Sequence, residues 1–264
     1  MNRFQNTFLS LLSGKYRDNR HFFPRITPNE TYLVSFPRSG NTWLRGLLTS
    51  LLHGEEATPK LVTVTVPDVY RIVYEGNKHI RKPSTRPLVI KTHGPFTDIP
   101  AKVIYLVRDG RDALLSYYYF QRRKRYRKQE MSAVEFYFYN KVWPCPWHLH
   151  VMGWLDGLQT WPADRYQIVR YEDLVVSPLE TLQSIAGFIG FPAGKEALER
   201  AIALNTRDRL KTISARAGKG ELYYVGEDRA TWQEVLVGED LARYEALAGE
   251  ALQRSGYSLL SETD

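Results

Sequence analysis

Three short segments carry side chains whose types and spacing suit anion handling and proton transfer. The first, Ser35-Phe36-Pro37-Arg38-Ser39-Gly40-Asn41-Thr42-Trp43, sits between a short apolar run and a leucine-rich helical pattern. A tight turn there, with Gly40 lacking a Cβ, aims backbone N–H groups and a helix's positive end at one point, which suits a phosphate. Ser39, Asn41 and Thr42 add side-chain donors, and Arg38 adds a planar cationic fork. The segment is not a Walker A loop, because no lysine follows Gly40. An ordinary strand-to-helix turn would use the same residues, so this segment alone leaves both readings open.

The second segment is Lys91-Thr92-His93, at the end of an apolar strand pattern. Imidazole titrates near neutrality and can act as a base there. In extended chain Lys91 and His93 project to the same side, so both could face one substrate. A lone histidine is also a common structural residue. The third segment, Arg108-Asp109-Gly110-Arg111-Asp112-Ala113-Leu114-Leu115-Ser116, again joins strand to helix. Arg108 at the strand's end, with Ser116 along the helix, could clasp a second anion. A salt-bridged helix start is the plain alternative.

These segments need elements that hold them. Thr31 to Phe36 reads as a strand, and Asn41 to His53 as a helix with Leu44, Leu47, Leu48, Leu51 and Leu52 on its apolar side. Pro87 to Lys91, Lys102 to Val107 and Arg165 to Arg170 read as further strands. Asp109 caps a helix running through Ser116 to Phe120 into the basic segment, with Asp112 near its positive end. Helices are expected at Met131 to Val142, Trp147 to Thr160, Lys195 to Leu204 and Leu241 to Ser255, and Ser177-Pro178 opens another to about Gly190. Strands separated by helices imply an α/β fold, with a central, mainly parallel β-sheet flanked by helices on both sides, like a P-loop NTPase. Ligands on such sheets bind beyond the carboxyl ends of the strands. No repeat or composition break divides the chain, so residues 1–264 are expected to form a single domain. Residues 1–30 read as an N-terminal extension, and 54–86, 121–147 (in part) and 207–231 as loops.

Composition removes several function classes. With 43% hydrophobic residues, 17 Tyr, 11 Phe and six Trp, the 264-residue chain has the apolar content of a folded core. Mean hydropathy is −0.39, and no apolar run approaches the roughly 18 residues of a membrane span. The opening residues carry only a weak apolar patch, Phe8 to Leu12, so neither a secretory leader nor an anchor is expected. The single cysteine, Cys145, excludes an internal disulfide framework and fits a reducing, cytoplasmic setting. Cys145, His148 and His150 lack a ligand spacing, so no metal site is expected. Of the net charge of +7, Arg122 to Lys128 supplies six positive charges, leaving the rest nearly neutral. That run is a solvated helix end or a contact for an acidic acceptor or carrier. Its slight aromatic interleaving argues against specific nucleic-acid binding.

Taken together, the three segments resemble the cytosolic-type sulfotransferases that use 3′-phosphoadenosine 5′-phosphosulfate (PAPS). In that family a Y/F-P-K/R-S-G-x-T-W loop holds the 5′-phosphosulfate, and here it reads FPRSGNTW. The family's K-T-H segment supplies a catalytic histidine, matched by 91–93, and its R-N-P-x-D-x-x-x-S-Y-Y-x-F segment is similar to RDGRDALLSYYYF. PWHLHVMGW and Tyr171-Glu172-Asp173-Leu174 are also similar, so the resemblance runs from Thr31 to about Thr206. It implies that Arg38, Ser39, Gly40, Asn41, Thr42 and Trp43 contact the 5′ side, with Arg108 and Ser116 on the 3′-phosphate. Tyr171 would sit by the adenine, and Thr206 would border the nucleotide. His93 would be the base, with Lys91 and Arg38 stabilising charge.

Departures from the family pattern are Arg38 for the usual lysine and Asp109-Gly110 for Asn-Pro. The late R-K-G-x-x-G-D-W segment has only Arg216, Lys219, Gly220 and Trp232 as nearest equivalents, and Arg216, Lys219 and Arg229 remain alternatives for the 3′-phosphate. The resemblance implies sulfuryl transfer without a metal, giving 3′-phosphoadenosine 5′-phosphate (PAP). The acceptor would be a hydroxyl of a small molecule, lipid or natural product, with the loops covering acceptor and cofactor. Competing readings are a P-loop-like kinase or nucleotide hydrolase, which would need magnesium, and a non-enzymatic nucleotide- or polyanion-binding module, which would be indifferent to His93 and steeply salt-dependent.

Overall fold

The computed structural model describes residues 30–69, 87–124, 131–139, 142–216 and 230–260. Four strands, β1 (Glu30–Ser35), β2 (Leu88–Thr92), β3 (Lys102–Val107) and β4 (Tyr166–Arg170), form one sheet in the order β2-β1-β3-β4. All pairings are parallel, with Val34 opposite Thr92, Ser35 opposite Leu106 and Val107 opposite Arg170. The strands behave as their sequences dictate. TYLV, LVIKT and KVIYLV are near-continuous apolar runs and are almost wholly buried, as strands covered on both faces must be. β4 lies at an edge of the sheet and is correspondingly half exposed.

Alternate residues feed two cores. Tyr32, Val34, Val103, Tyr105 and Val107 pack beneath α3 (Gly110–Lys124), α4 (Ala133–Tyr139), α5 (Trp147–Leu158) and α11 (Gly238–Arg254). On the other face Leu33, Ile104, Leu106 and Val169 meet α1 (Asn41–His53), α7 (Pro178–Phe188) and α8 (Lys195–Leu204). Period-two alternation thus builds a three-layer α/β architecture. From β1 the chain moves to one side of the sheet, and from β3 to the other. The carboxyl ends of β1 and β3 therefore flank the point where the winding reverses, the place where such sheets bind ligands.

Several boundaries differ from the sequence expectations for physical reasons. Residues 54–86, expected to be loop, contain α2 (Pro59–Thr65), started by Pro59 and by the Thr58 hydroxyl, which accepts from Leu61 N. Likewise 207–231 begins with α9 (Arg207–Arg216), and Tyr171–Val176 is a short helix, α6. α4 starts at Ala133 and not Met131 because Ser132 and Glu135 cap each other's backbone amides at 3.1 and 2.8 Å. Ser177 precedes α7 but makes no side-chain cap. A four-residue helix, α10 (Trp232–Val235), completes the order. No helix among the described residues is long and apolar enough to cross a membrane.

The β3–α3 turn is fixed by buried charge. Arg111, 3% exposed, donates to both Asp109 carboxylate oxygens and, at 2.7 Å, to Glu245 on α11, while its guanidinium lies 3.8 Å from the Trp232 ring centre. Removing one partner of such a buried set strands the remaining charge. Glu245→Ala is accordingly expected to lower unfolding free energy by about 3 kcal/mol, the low end for a broken buried pair because Asp109 remains. Urea denaturation checks this as a fall in midpoint at unchanged slope.

Candidate active site

The loop after β1 makes two left-handed turns, at Arg38 (φ 72°) and Gly40 (φ 91°). Gly40 is required there twice over. A side chain would be strained at that φ, and its Cβ would lie 2.2 Å from the Tyr171 ring. α1 begins at Asn41, so its first amides, which have no intrahelical acceptors, face the turn. Ser39 is fully buried, yet its hydroxyl has no hydrogen-bond partner among the described residues. The same holds for Asn41 Oδ1 and Arg108 Nε. Two of these unpartnered buried atoms, Ser39 Oγ and Arg108 Nε, are donors set around a helix start, a cradle of the kind a phosphate fills, while Asn41 Oδ1 can only accept.

The motifs, far apart in sequence, meet here. Arg38 Nε donates to Ser116 Oγ at 3.1 Å, and Arg108 donates to the Arg38 carbonyl at 3.3 Å. Arg108 also lies over the Tyr171 ring at 4.7 Å and forms a 3.7 Å ion pair with Asp112, the contact of a salt-bridged helix start. Tyr171 meets Trp43 edge to face, and the Trp43 indole donates to the Asn205 carbonyl, which places exposed Thr206 beside the same rim. Thr42 is half-buried in the first turn of α1. Glu172 holds the other side of the arrangement, accepting from Asp109 N at 3.1 Å and from the Tyr257 hydroxyl at 2.6 Å. Lys219, Gly220 and Arg229 lie outside the described residues, as do the side chain of Arg216 and Arg125 to Lys128 of the basic run.

His93 stands at the carboxyl end of β2, beside Ser35 at the end of β1. Its Nδ1 is 2.6 Å from the Ser35 carbonyl oxygen and 3.4 Å from the Ser35 hydroxyl, which in turn accepts from Asn41 Nδ2 at 3.0 Å. A carbonyl only accepts, so Nδ1 carries the proton and Nε2 of the neutral ring keeps its lone pair. Burial, and then the charge of Lys91, hold the imidazole well below its usual titration range, while Asp68 and the carbonyl bond pull the other way. Half-exposed Trp143 lies edge to face on the imidazole, with ring centres 5.8 Å apart.

The expectation that Lys91 is displayed like His93 needs correction. Lys91 is nearly buried, and its ammonium is 2.6 Å from the Asp68 carboxylate. Sequence reasoning missed Asp68 and Asn205, which no motif marks, and gave Ser35, at the start of the first segment, no role of its own; each acts through a contact set by the strand register or helix packing. His150 is a core residue. The Gly94 carbonyl accepts from its Nε2 at 3.1 Å and from the Trp154 indole at 3.0 Å, and its Nδ1 accepts from the Tyr105 hydroxyl at 3.0 Å. These bonds fix the backbone that follows His93.

Residues 28–221 match the family model of the sulfotransferase domain. A flavonol sulfotransferase-like protein of Flaveria bidentis is 27% identical, covering 98% of this chain and 93% of its own. A 3-alpha-hydroxysteroid sulfotransferase of Cavia porcellus is 29% identical over 62% of this chain and 60% of its own. Among solved structures, retinol dehydratase in complex with androsterone and the inactive cofactor PAP superposes with a TM-score of 0.63, at 17% identity, covering 92% and 86% of the two chains. A mouse sulfotransferase complexed with PAP gives 0.61, at 16% identity over 85% and 84%. At these identities the structural likeness is one of fold.

The buried histidines make stability depend on pH. Burial lowers both His148 and His150 to about 4. Between about 4 and the unfolded value near 6.5, the unfolded chain binds protons that the folded chain does not. Unfolding free energy is therefore expected to fall as pH drops through that window, by about 1.4 kcal/mol per unit for each such histidine. His150→Asn should flatten the slope in denaturation curves taken across pH 4 to 7.

Proposed function

The chain belongs to the sulfotransferase domain family, and on that premise we propose how its residues divide the work of moving a sulfuryl group from PAPS to an acceptor hydroxyl. The observation that carries the assignment is a juxtaposition. A histidine with Nδ1 committed to the Ser35 carbonyl stands at the strand edge, next to a loop with unpartnered buried Ser39 Oγ and to Arg108 after β3, whose Nε is likewise unpartnered among the described residues. The donor set fits an anionic nucleotide carrying phosphates at both ends. Bound PAPS supplies a sulfuryl group on a good leaving phosphate, so the protein's task is alignment and charge stabilisation.

His93 Nε2 takes the proton from the acceptor hydroxyl as its oxygen attacks sulfur in line. Its lowered basicity keeps it unprotonated and ready at neutral pH. The loop amides, Ser39, Asn41, Thr42 and Arg38 hold the 5′ side, and Lys91 adds positive charge where the leaving oxygen develops its negative charge. Arg108 and Ser116 hold the 3′-phosphate together with a late basic residue from Arg216, Lys219 and Arg229, beside Gly220. Ser116, bonded to Arg38 at 3.1 Å, links the two anion sites. Tyr171, Trp43 and Thr206 border the adenine. Trp143, half exposed against His93, forms an aromatic wall for a small-molecule or lipid acceptor. Residues 54–86, 121–147 and 207–231 cover cofactor and acceptor, and the enzyme works in the cytoplasm without a metal.

Two substitutions test this division of labour. His93→Ala is expected to bind PAP as the wild type does in calorimetry while losing transfer by at least about a hundredfold. Near-wild-type turnover would remove His93 as the base. Arg108→Ala is expected to weaken PAP by about tenfold or more, in line with a lost charge-assisted bond, and to leave adenosine 5′-phosphosulfate almost unaffected. Equal losses on the two nucleotides would refute a 3′-phosphate contact.

A further inference from the structure

Asp68 lies in a segment that the sequence presented as loop, and no motif includes it. Three backbone-level contacts place it. Arg45 on α1, buried, donates from Nε and a terminal nitrogen to the Val66 carbonyl at 2.9 and 2.6 Å. Lys91 N donates to the Pro67 carbonyl at 2.9 Å, and Asp68 pairs with Lys91 in a parallel β-bridge beside β2. The side chains then meet at 2.6 Å, with the Lys91 side chain 11% exposed. A surface ion pair would be held by its own weak attraction. This one is registered by the backbone and pinned by a buried guanidinium.

We propose that Asp68 is a positioning residue, whose carboxylate holds the Lys91 ammonium, charged and fixed in direction, beside His93 at the carboxyl end of β2. The inference rests on the reading of Lys91 as a charge-stabilising group in transfer. An isolated ammonium with so little access to water would tend to shed its proton. Three groups act on it here: Asp68 from the segment after α2, Arg45 from α1 and His93 from its own strand. Burial lowers the basicity of Lys91 most, and Arg45 adds to that, while Asp68 opposes both by its charge and its hydrogen bond. Of the three, Asp68 is the group that opposes loss of the proton. It also offsets the positive charge that His93 would otherwise face alone.

The experiment is a titration of Lys91 by side-chain carbon–proton NMR in the full chain without nucleotide, for wild type, Asp68→Asn and Asp68→Glu. Asp68→Asn should titrate at least about one pH unit lower than wild type, a tenfold change in the protonation equilibrium. Asp68→Glu should keep Lys91 charged but, with the carboxylate displaced by one methylene, lose turnover several-fold. An unmoved Lys91 titration in Asp68→Asn overturns the inference, as does full turnover in Asp68→Glu should the asparagine variant fail to fold. Turnover of Lys91→Met and of Asp68→Asn/Lys91→Met is measured beside these. Equal losses in the two show that Asp68 acts through Lys91, and a larger loss in the double variant contradicts it. Full turnover in Lys91→Met, with the Asp68→Asn titration still displaced, removes Lys91 from transfer and leaves the electrostatic pairing standing.

Discussion

The hydrogen bond from His93 Nδ1 to the Ser35 carbonyl, 2.6 Å long, joins the carboxyl ends of the two strands on which the site is built. It selects the tautomer of the proposed base and orients the ring. Through the Ser35 hydroxyl and Asn41 Nδ2 it also couples that ring to the first turn of α1. The bond exists because β1 and β2 pair in the register that sets Val34 opposite Thr92, so that the next residues out are neighbours. A shift of one residue would turn His93 to the opposite face. The apolar alternation that fills the two cores is therefore what forbids the shift, and core packing and the placement of the proposed base share one constraint.

Around this bond the charges are sorted by depth. Asp109, Arg111 and Glu245 are buried, mutually satisfied and directed toward α11, where they lock the turn after β3. Arg108, one residue earlier, faces the other way with its Nε unpartnered among the described residues and Tyr171 beneath its guanidinium. Neighbouring residues thus face opposite demands, one closing the fold and the other, in the proposed function, addressing an anion. The same division separates His150, buried and bonded to Gly94 and Tyr105, from His93. Lys91 lies between these classes, paired like a structural residue yet placed near the carboxyl end of β2, two residues before His93.

Much of this was legible in the sequence where one short segment carries its own signal. Lys102 to Val107 is apolar after its first residue and Lys195 to Leu204 is amphipathic, and both elements have those bounds. FPRSGNTW, KTH and RDGRDALLS each mark a turn at a strand's end. α2 was hidden because Leu61-Val62-Thr63-Val64-Thr65 is largely β-branched and favours a helix only through its proline and threonine start. α9 was hidden because Arg207-Asp208-Arg209 offers no apolar stripe before Leu210. Asp68 was unreadable for another reason. Its partner is 23 positions away and its placement depends on Arg45 and on a bridge to β2, contacts that exist only once the sheet has formed.

The most direct test of the account is nitrogen-15 NMR of the His93 imidazole, assigned by comparison with His93→Gln and followed from pH 8 to pH 5. The structure predicts a pyrrole-type Nδ1 and a pyridine-type Nε2 in the neutral ring, with protonation only below the ordinary histidine range near 6.5. A neutral ring protonated on Nε2, or one that titrates at or above that range, would contradict it.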